Sequence, residues 1–379
     1  MEKKQKMTAT GYRRVSKKRP CCICGKPDWC STTATETISF CARSNLNADR
    51  ISRYGWGVFY HQDSNCDLSR VFYESPKKKK HVFANLLAAP TISDRVYRKL
   101  IELSPASFNN EIVNGNGGLL QRGIRDHFQY GSLPKTVNER NILAERLSRE
   151  LANEIGDDVR LFSGIPGFWR DIRGKLRLWS KWDSSEELML IPFVGTEGLV
   201  RACQIRFMRY VRHKSGRYVW LSSSKERTGC GPGSPLHHAA PGSSLRHPVL
   251  VTEGALKAAT AQVFLTESYV VGSSGVASSH QEIIETARER PLEIAFDNDS
   301  FTNPHVARAL AALLRLRYED QKLFAYDDKV RILTWDRSIK GIDEALLAGL
   351  KLGSLTCTEW LKRLTPECLD QANRQLFTT

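Results

Sequence analysis

The chain has 379 residues, enough for two or three domains. Its 41% hydrophobic and 26% charged residues give the balance of a folded globular protein, and no stretch approaches the ~18 uninterrupted apolar residues of a membrane span, so disordered and membrane-spanning classes are excluded. Lys plus Arg total 56 against 41 for Asp plus Glu, a net charge of +15, and a surplus of that size points to a polyanionic partner.

The surplus begins at the start of the chain. Residues 1–20 hold Lys3, Lys4, Lys6, Arg13, Arg14, Lys17, Lys18 and Arg19 against the single acid Glu2, and are expected to form a disordered basic arm. No apolar stretch follows the first charged residues, so a signal peptide is not expected and a cytoplasmic, nucleoid-associated protein is. Residues 21–61 are rich in Cys, Ser and Thr, and their alternation (Thr35 to Phe40) predicts short strands. Residues 62–85 read as a linker, with Ser75-Pro76 and then Lys77 to Lys80. A helical pattern covers the next region, 86–160, where Val96, Leu100 and Leu103 recur at three- and four-residue spacing and 137–155 is amphipathic.

From 161 to 246 strands and turns take over. The apolar run Leu188 to Val194, the glycines at 195 and 198, and the run Leu199 to Phe207 predict a hairpin. Between 247 and 350 strands alternate with helices: Val249 to Val251, Ala255 to Phe264, Tyr269 to Val271, His280 to Arg290, Leu292 to Phe296, Pro304 to Tyr318 and Val330 to Trp335. That alternation predicts a parallel sheet covered by helices. A helical tail is expected over 351–379, and the whole is α/β (α+β overall).

Two constellations carry chemistry. Cys21-x2-Cys24-x5-Cys30-x10-Cys41 has four thiols spaced to close a tetrahedron around Zn2+, with Gly25 on the turn of the first pair. Cys22 is an alternative to Cys21, and Cys66 is a spare. A strand-rich module of this size needs the metal in place of a core. In the α/β region, Glu253 stands at the carboxyl end of one strand, Asp297 and Asp299 at the end of another, and Asp343-Glu344 follows Lys340-Gly341-Ile342. The carboxyl ends of parallel strands share one edge, where ligands bind. Asp297 and Asp299 are placed to hold Mg2+ or Mn2+ together, with Glu253 as a further ligand or a general base. The bland reading of Asp-x-Asp is a helix N-cap.

In order and spacing, these acids resemble the Toprim fold, the metal-binding domain shared by DnaG-type primases, topoisomerases and some nucleases. The flanking sequence is similar to the catalytic core of DnaG-type primases: Gly118 to Ile124 with Phe128 and Tyr130-Gly131, then Leu190 to Phe193 and Gln204 to Arg206, then Tyr218 to Ser224 and Pro235 to His237. The zinc module also stands N-terminal to that core. The likeness runs from about 21 to 350 and is to the primase-like proteins of plasmids, phages and other mobile elements. It departs from chromosomal primases in lacking a second Cys-x2-Cys. No phosphate-binding Gly-x4-Gly-Lys-Ser/Thr is present, so a separate replicative helicase is expected as partner.

The resemblance implies a DNA primase that makes short primers on a single-stranded DNA template from nucleoside triphosphates, for replication of a mobile element. Glu253, Asp297, Asp299 and Asp343 would be the catalytic acids, with Mg2+ or Mn2+ at Asp297, Asp299 and Glu253. Arg201, Arg206, Arg209, Arg212, Lys214, Arg217, Lys225 and Arg227 would track the template backbone, with Phe207, Tyr210, Tyr218 and Trp220 as interleaved rings. The alternatives are a Toprim-family metal-dependent nuclease using the same acids, and a non-catalytic DNA-binding protein on a Toprim scaffold.

Overall fold

The computed structural model describes residues 12–34, 38–44, 48–52, 56–61, 87–106, 129–155, 161–179, 183–184, 188–207, 216–242 and 248–377. The chain forms two units, Met1–Ala88, Asp158–Trp179 and Ser222–Gly233 in the first, and Ala89–Asp157, Ser180–Leu221 and Ser234–Thr379 in the second. Among the described residues no helix is long and apolar enough to cross a membrane.

The first unit opens with five short antiparallel strands, β1 (Tyr12–Arg14), β2 (Ser31–Thr33), β3 (Ile38–Cys41), β4 (Arg50–Ile51) and β5 (Gly57–Tyr60), in the order β1-β2-β3-β5-β4. The sheet begins inside the stretch expected as a disordered arm, because β1 pairs along β2 from Tyr12–Thr33 to Arg14–Ser31. The lysines and arginines of 13–19 mask that pairing in the sequence, since a three-residue edge strand has no alternation to read. Lys77 to Lys80 and Cys66 lie outside the described residues.

The chain then enters the second unit. Helix α1 (Pro90–Leu103) starts on proline, whose missing N–H is harmless in the first turn, and buries Val96, Tyr97, Leu100 and Ile101 along one stripe. Helix α2 is Val137–Ile155. Between them β6 (Gly131–Leu133) departs from the expected all-helical region, pairing antiparallel with a later strand. Its Gly-Ser-Leu sequence has no strand signature, and tertiary pairing decides it. The segment Gly118 to Ile124, with Phe128, falls outside the described residues.

A hairpin of β7 (Phe168–Arg170) and β8 (Leu176–Leu178) returns to the first unit. In the second, β9 (Leu188–Val194) and β10 (Val200–Phe207) pair around the Gly195–Gly198 turn as the sequence predicts, and β11 (Tyr218–Trp220) completes a sheet ordered β11-β10-β9-β6.

The largest sheet follows: β12 (His237–His238), β13 (Val249–Glu253), β14 (Tyr269–Ser273), β15 (Leu292–Ala295), β16 (Val330–Thr334) and β17 (Gly353–Leu355), ordered β12-β14-β13-β15-β16-β17. The four central strands are parallel, as expected. The edges differ from expectation: β12 and β17 run antiparallel, so the sheet extends beyond 247–350 on both sides. Two- and three-residue edge strands carry too little pattern to be seen. Helices α3 (Ala255–Phe264), α4 (His280–Ala287), α5 (Pro304–Phe324) and α6 (Ile342–Leu347) connect the strands, and α7 (Cys357–Leu361) and α8 (Pro366–Leu376) close the chain.

Both faces of the central strands are covered, which is why they read as continuous apolar runs. Val249, Val251, Val271 and Ile294 pack with Ile283, Leu310, Leu314 and Trp360 on one face. Leu250, Val270 and Ala295 pack with Ala258, Trp335, Ile342 and Leu346 on the other. Covering helices on both faces leaves the carboxyl edge of the strands as the open side of the sheet.

Candidate functional site

The cysteine quartet is built by a turn and two strands. Gly25 at φ +67° lets its N–H reach the Cys21 carbonyl at 2.7 Å, folding Cys21 and Cys24 onto one side. Cys30 precedes β2 and Cys41 ends β3. The Sγ atoms of Cys21, Cys24, Cys30 and Cys41 all lie within 4.8 Å of one another. Cys24 and Cys30 are 3.6 Å apart and Cys30 and Cys41 3.9 Å. Tetrahedral zinc with ~2.3 Å bonds places sulfurs ~3.8 Å apart, so the cage fits the ion. The Ala42 and Ser44 N–H groups donate to Cys30 and Cys41 sulfurs at 3.4 and 3.3 Å, orienting them as outer-shell partners do. Crowding of the thiols pulls the Cys24 pKa down, through its contacts with Cys21 and Cys30, and pushes Cys41 up, through Cys21 and Cys24. Cys22 points elsewhere: it is exposed, 3.0 Å from Ser39 Oγ.

The acids gather on the sheet's carboxyl edge. Glu253 ends β13, half-buried, and Gly254 at φ +93° turns the chain directly into α3. Asp297 follows β15 and is 3% exposed. It occupies the N-cap position of the short 3-10 helix Asn298–Phe301, but its side chain makes no cap bond. The carboxylate is therefore directed to other partners, and the N-cap reading does not account for it. Its Oδ1 accepts from Lys257 Nζ, and its Oδ2 is 3.5 Å from Lys340 Nζ, which also lies 3.7 Å from Asp299 Oδ2. Asp343 sits in the first turn of α6, half-buried.

Asn298 locks this edge together. Its side-chain amide donates to the Asp336 and Ile339 carbonyls at 3.0 and 2.7 Å, and its N–H to the Lys340 carbonyl at 3.0 Å. The loop bearing Lys340 and Gly341 is thus tied to Asp297 and Asp299. A Cβ at Gly341 would run into Asp343 Oδ1 and crowd Lys257 Cε, so a larger residue there would push both side chains aside.

Electrostatics follow from burial among like charges. Burial raises the Glu253 pKa, and Asp297 adds to it. Burial raises Asp343 as well, against the pull of Lys257. For Lys257 burial works downward, but Asp297, Asp343 and Glu253 outweigh it and the net shift is upward. Asp299 Oδ1 and Asp343 Oδ1 are buried with no hydrogen-bond donor. Two orphaned hard oxygens beside further carboxylates fit a divalent cation by donor chemistry. The carboxylates are nonetheless held apart: among the described residues only the cysteines bring three or more ligand atoms within 4.8 Å.

Lys257 is not singled out by the sequence, although it stands in the first turn of α3, the helix that leaves the strand ending in Glu253. A lysine at the start of a helix that rises from the carboxyl edge of a parallel strand is the signal that could have revealed it.

The expected backbone-tracking residues divide. Arg206 is 8% exposed, with its guanidinium 5.9 Å from the Tyr218 ring; burial lowers its pKa, and Tyr218 and Asp343 oppose the fall. Arg201 is ion-paired to Glu197 at 2.5 Å. Arg217 is exposed in the second unit, and Lys225 and Arg227 are exposed in the first. Arg209, Arg212, Lys214 and Tyr210 lie outside the described residues. Of the rings, Tyr218 is exposed, Trp220 packs on Phe193 at 4.7 Å, and Phe207 is buried.

No family model matches the chain, and no curated protein matches it. Among solved structures it is similar to a DNA primase domain from Pseudomonas aeruginosa, at 16% identity and TM-score 0.47 over 68% of this chain and 75% of that one. It is also similar to the RNA polymerase domain of Mycobacterium tuberculosis primase DnaG, at 16% identity and TM-score 0.45 over 67% and 80%. The zinc-binding and RNA polymerase domains of Aquifex aeolicus primase match at 14% identity and TM-score 0.43 over 98% and 92%.

Proposed function

We propose that the chain is a primase-like nucleotidyltransferase that makes short primers on single-stranded DNA for a mobile element, with structural zinc in the cysteine quartet and a Toprim-type acidic site. The observation that carries the reading is the convergence of Glu253, Asp297, Asp299 and Asp343 with Lys257 and Lys340 at one parallel-sheet edge, two carboxylate oxygens being buried there without a donor. Such an edge suits a phosphate-bearing substrate, because cations and acids are both needed where charge moves.

Asp297 and Asp299 would hold Mg2+ or Mn2+, which when bound neutralises nucleotide phosphates. The chain's own residues do the rest. Glu253, its pKa raised by burial, would accept the proton of an attacking 3′-hydroxyl. Lys257 fixes the Asp297 carboxylate. Lys340, paired with Asp297 and Asp299 yet 67% exposed, would turn onto a triphosphate. The zinc module, with the lysines at 77–80, would grip the template, and a separate helicase would open it.

Primer synthesis on single-stranded DNA with labelled nucleoside triphosphates and Mg2+ or Mn2+ tests the reading. Short products that disappear in Asp297→Asn support it. Shortening of the template that stops in the same variant makes the protein a nuclease. DNA binding with neither outcome leaves a scaffold.

A further inference from the structure

The β7–β8 hairpin ends in a turn whose construction separates residues the fold requires from residues it does not. The Gly174 N–H donates to the Asp171 carbonyl at 3.0 Å, and the Asp171 N–H to the Lys175 carbonyl at 3.0 Å. The Asp171 side chain accepts from the Arg173 and Lys175 N–H groups at 2.9 and 3.0 Å and from Arg177 Nη2 at 2.6 Å. Arg170 Nη1 donates to the Gly174 carbonyl at 2.9 Å, and Gly174 takes φ +76°. Asp at the first position and a left-handed Gly at the fourth are what this turn demands. Nothing in it demands Ile172, Arg173 or Lys175.

These three free positions all face solvent, and Ile172 is 95% exposed, the most exposed large apolar side chain among the described residues. Being held on a rigid turn, the isoleucine cannot fold back to shelter. Around it the charge is one-sided. The hairpin carries Arg170, Arg173, Lys175 and Arg177 against Asp171 alone, which Arg177 already neutralises. The neighbouring loop is fastened to β7, since Arg170 N–H donates to Thr228 Oγ1 and Thr228 Oγ1 to the Arg170 carbonyl, at 2.8 and 3.0 Å. That loop adds exposed Lys225 and Arg227 against the half-buried Glu226.

We propose that this hairpin tip is a contact surface for single-stranded nucleic acid, in which Ile172 packs against an unstacked base while Arg173 and Lys175 neutralise flanking phosphates. The charge selects a polyanion, and the apolar tip selects one whose bases are accessible. Apolar side chains do insert against base faces, and cationic tracks beside them hold the backbone. A strand with open bases offers both features, whereas a duplex keeps its base faces stacked. The inference rests on the nucleic-acid reading above and not on polymerisation.

The test is fluorescence anisotropy of the full-length protein with labelled oligothymidylate and with a duplex of equal length, over a series of salt concentrations. Ile172→Ser is expected to weaken single-strand binding about fivefold at every salt with the slope unchanged. Arg173→Ala/Lys175→Ala is expected to lower the log–log salt slope by about 1.4, two single-strand phosphate contacts. A 2-aminopurine in the oligonucleotide should lose its binding-induced fluorescence change in Ile172→Ser only. Variants that bind like wild type overturn the proposal, as does an equal loss on the duplex from Ile172→Ser. If wild type makes primers while the variants bind normally, the hairpin inference fails and the primase reading stands. If the variants bind weakly but no primers form, the reverse holds.

Discussion

Lys257 Nζ is hydrogen-bonded to Asp297 Oδ1, placing a protein cation on the acid that most deeply enters the carboxyl edge of the sheet. A buried carboxylate surrounded by others is costly, and an ammonium in the first turn of α3 offsets that cost. Lys257→Met leaves Asp297 buried among like charges. We therefore expect the variant to melt lower than wild type in magnesium-free buffer, and to recover more on adding Mg2+ than wild type gains. Equal Mg2+-induced shifts in melting temperature for the two proteins would remove Lys257 from this role.

Asn298 stands between the two aspartates yet spends its side chain on the opposite loop, bonding the Asp336 and Ile339 carbonyls. Asn298→Ala loses both bonds, for about 1–3 kcal/mol of stability. Since those bonds hold the Lys340 loop against Asp297 and Asp299, the nucleotide incorporation proposed above should fall more than stability alone explains. Incorporation measured well below the melting temperature, beside Asn298→Asp, separates the two effects.

The four sulfurs that define the cage make a sharp distinction between adjacent cysteines. Cys24→Ser should remove bound zinc, because it deletes one of four ligands. Cys22→Ser should keep it, since Cys22 faces Ser39 instead. Metal analysis of the purified proteins reads the result directly. Loss of zinc from Cys22→Ser would reassign the quartet.

Much of this was legible from the residues. The strands from Val249 to Thr334 announce themselves because both faces are buried, and an apolar run needs no partner to be read. The cysteines carry their own spacing. What stayed hidden depends on tertiary placement. β6, β12 and β17 are strands only because a neighbouring edge pairs with them. Lys257 and Asn298 look like ordinary polar residues until the fold sets one against Asp297 and turns the other to the Ile339 carbonyl. Arg206 fits a basic track by spacing alone, while the pairing of β10 buries it.

Stability should also depend on pH through the same edge. Burial pushes the Glu253 carboxyl upward, with Asp297 adding to it, and burial pushes Asp343 upward as well. In the unfolded chain both return to the ordinary range near pH 4. Between that value and the raised one, the folded protein holds more protons than the unfolded one, so its stability falls as pH rises through the window. Lys257 does not counter this, because its own upward shift acts only above its ordinary value near 10. In magnesium-free buffer the melting temperature should therefore drift down as the pH rises above about 4, through this edge's contribution. Glu253→Gln cannot titrate and should flatten the drift, and Mg2+ should oppose it in wild type by favouring the ionised acids. A Glu253→Gln profile parallel to wild type would show that Glu253 is not charged against its surroundings in the folded protein.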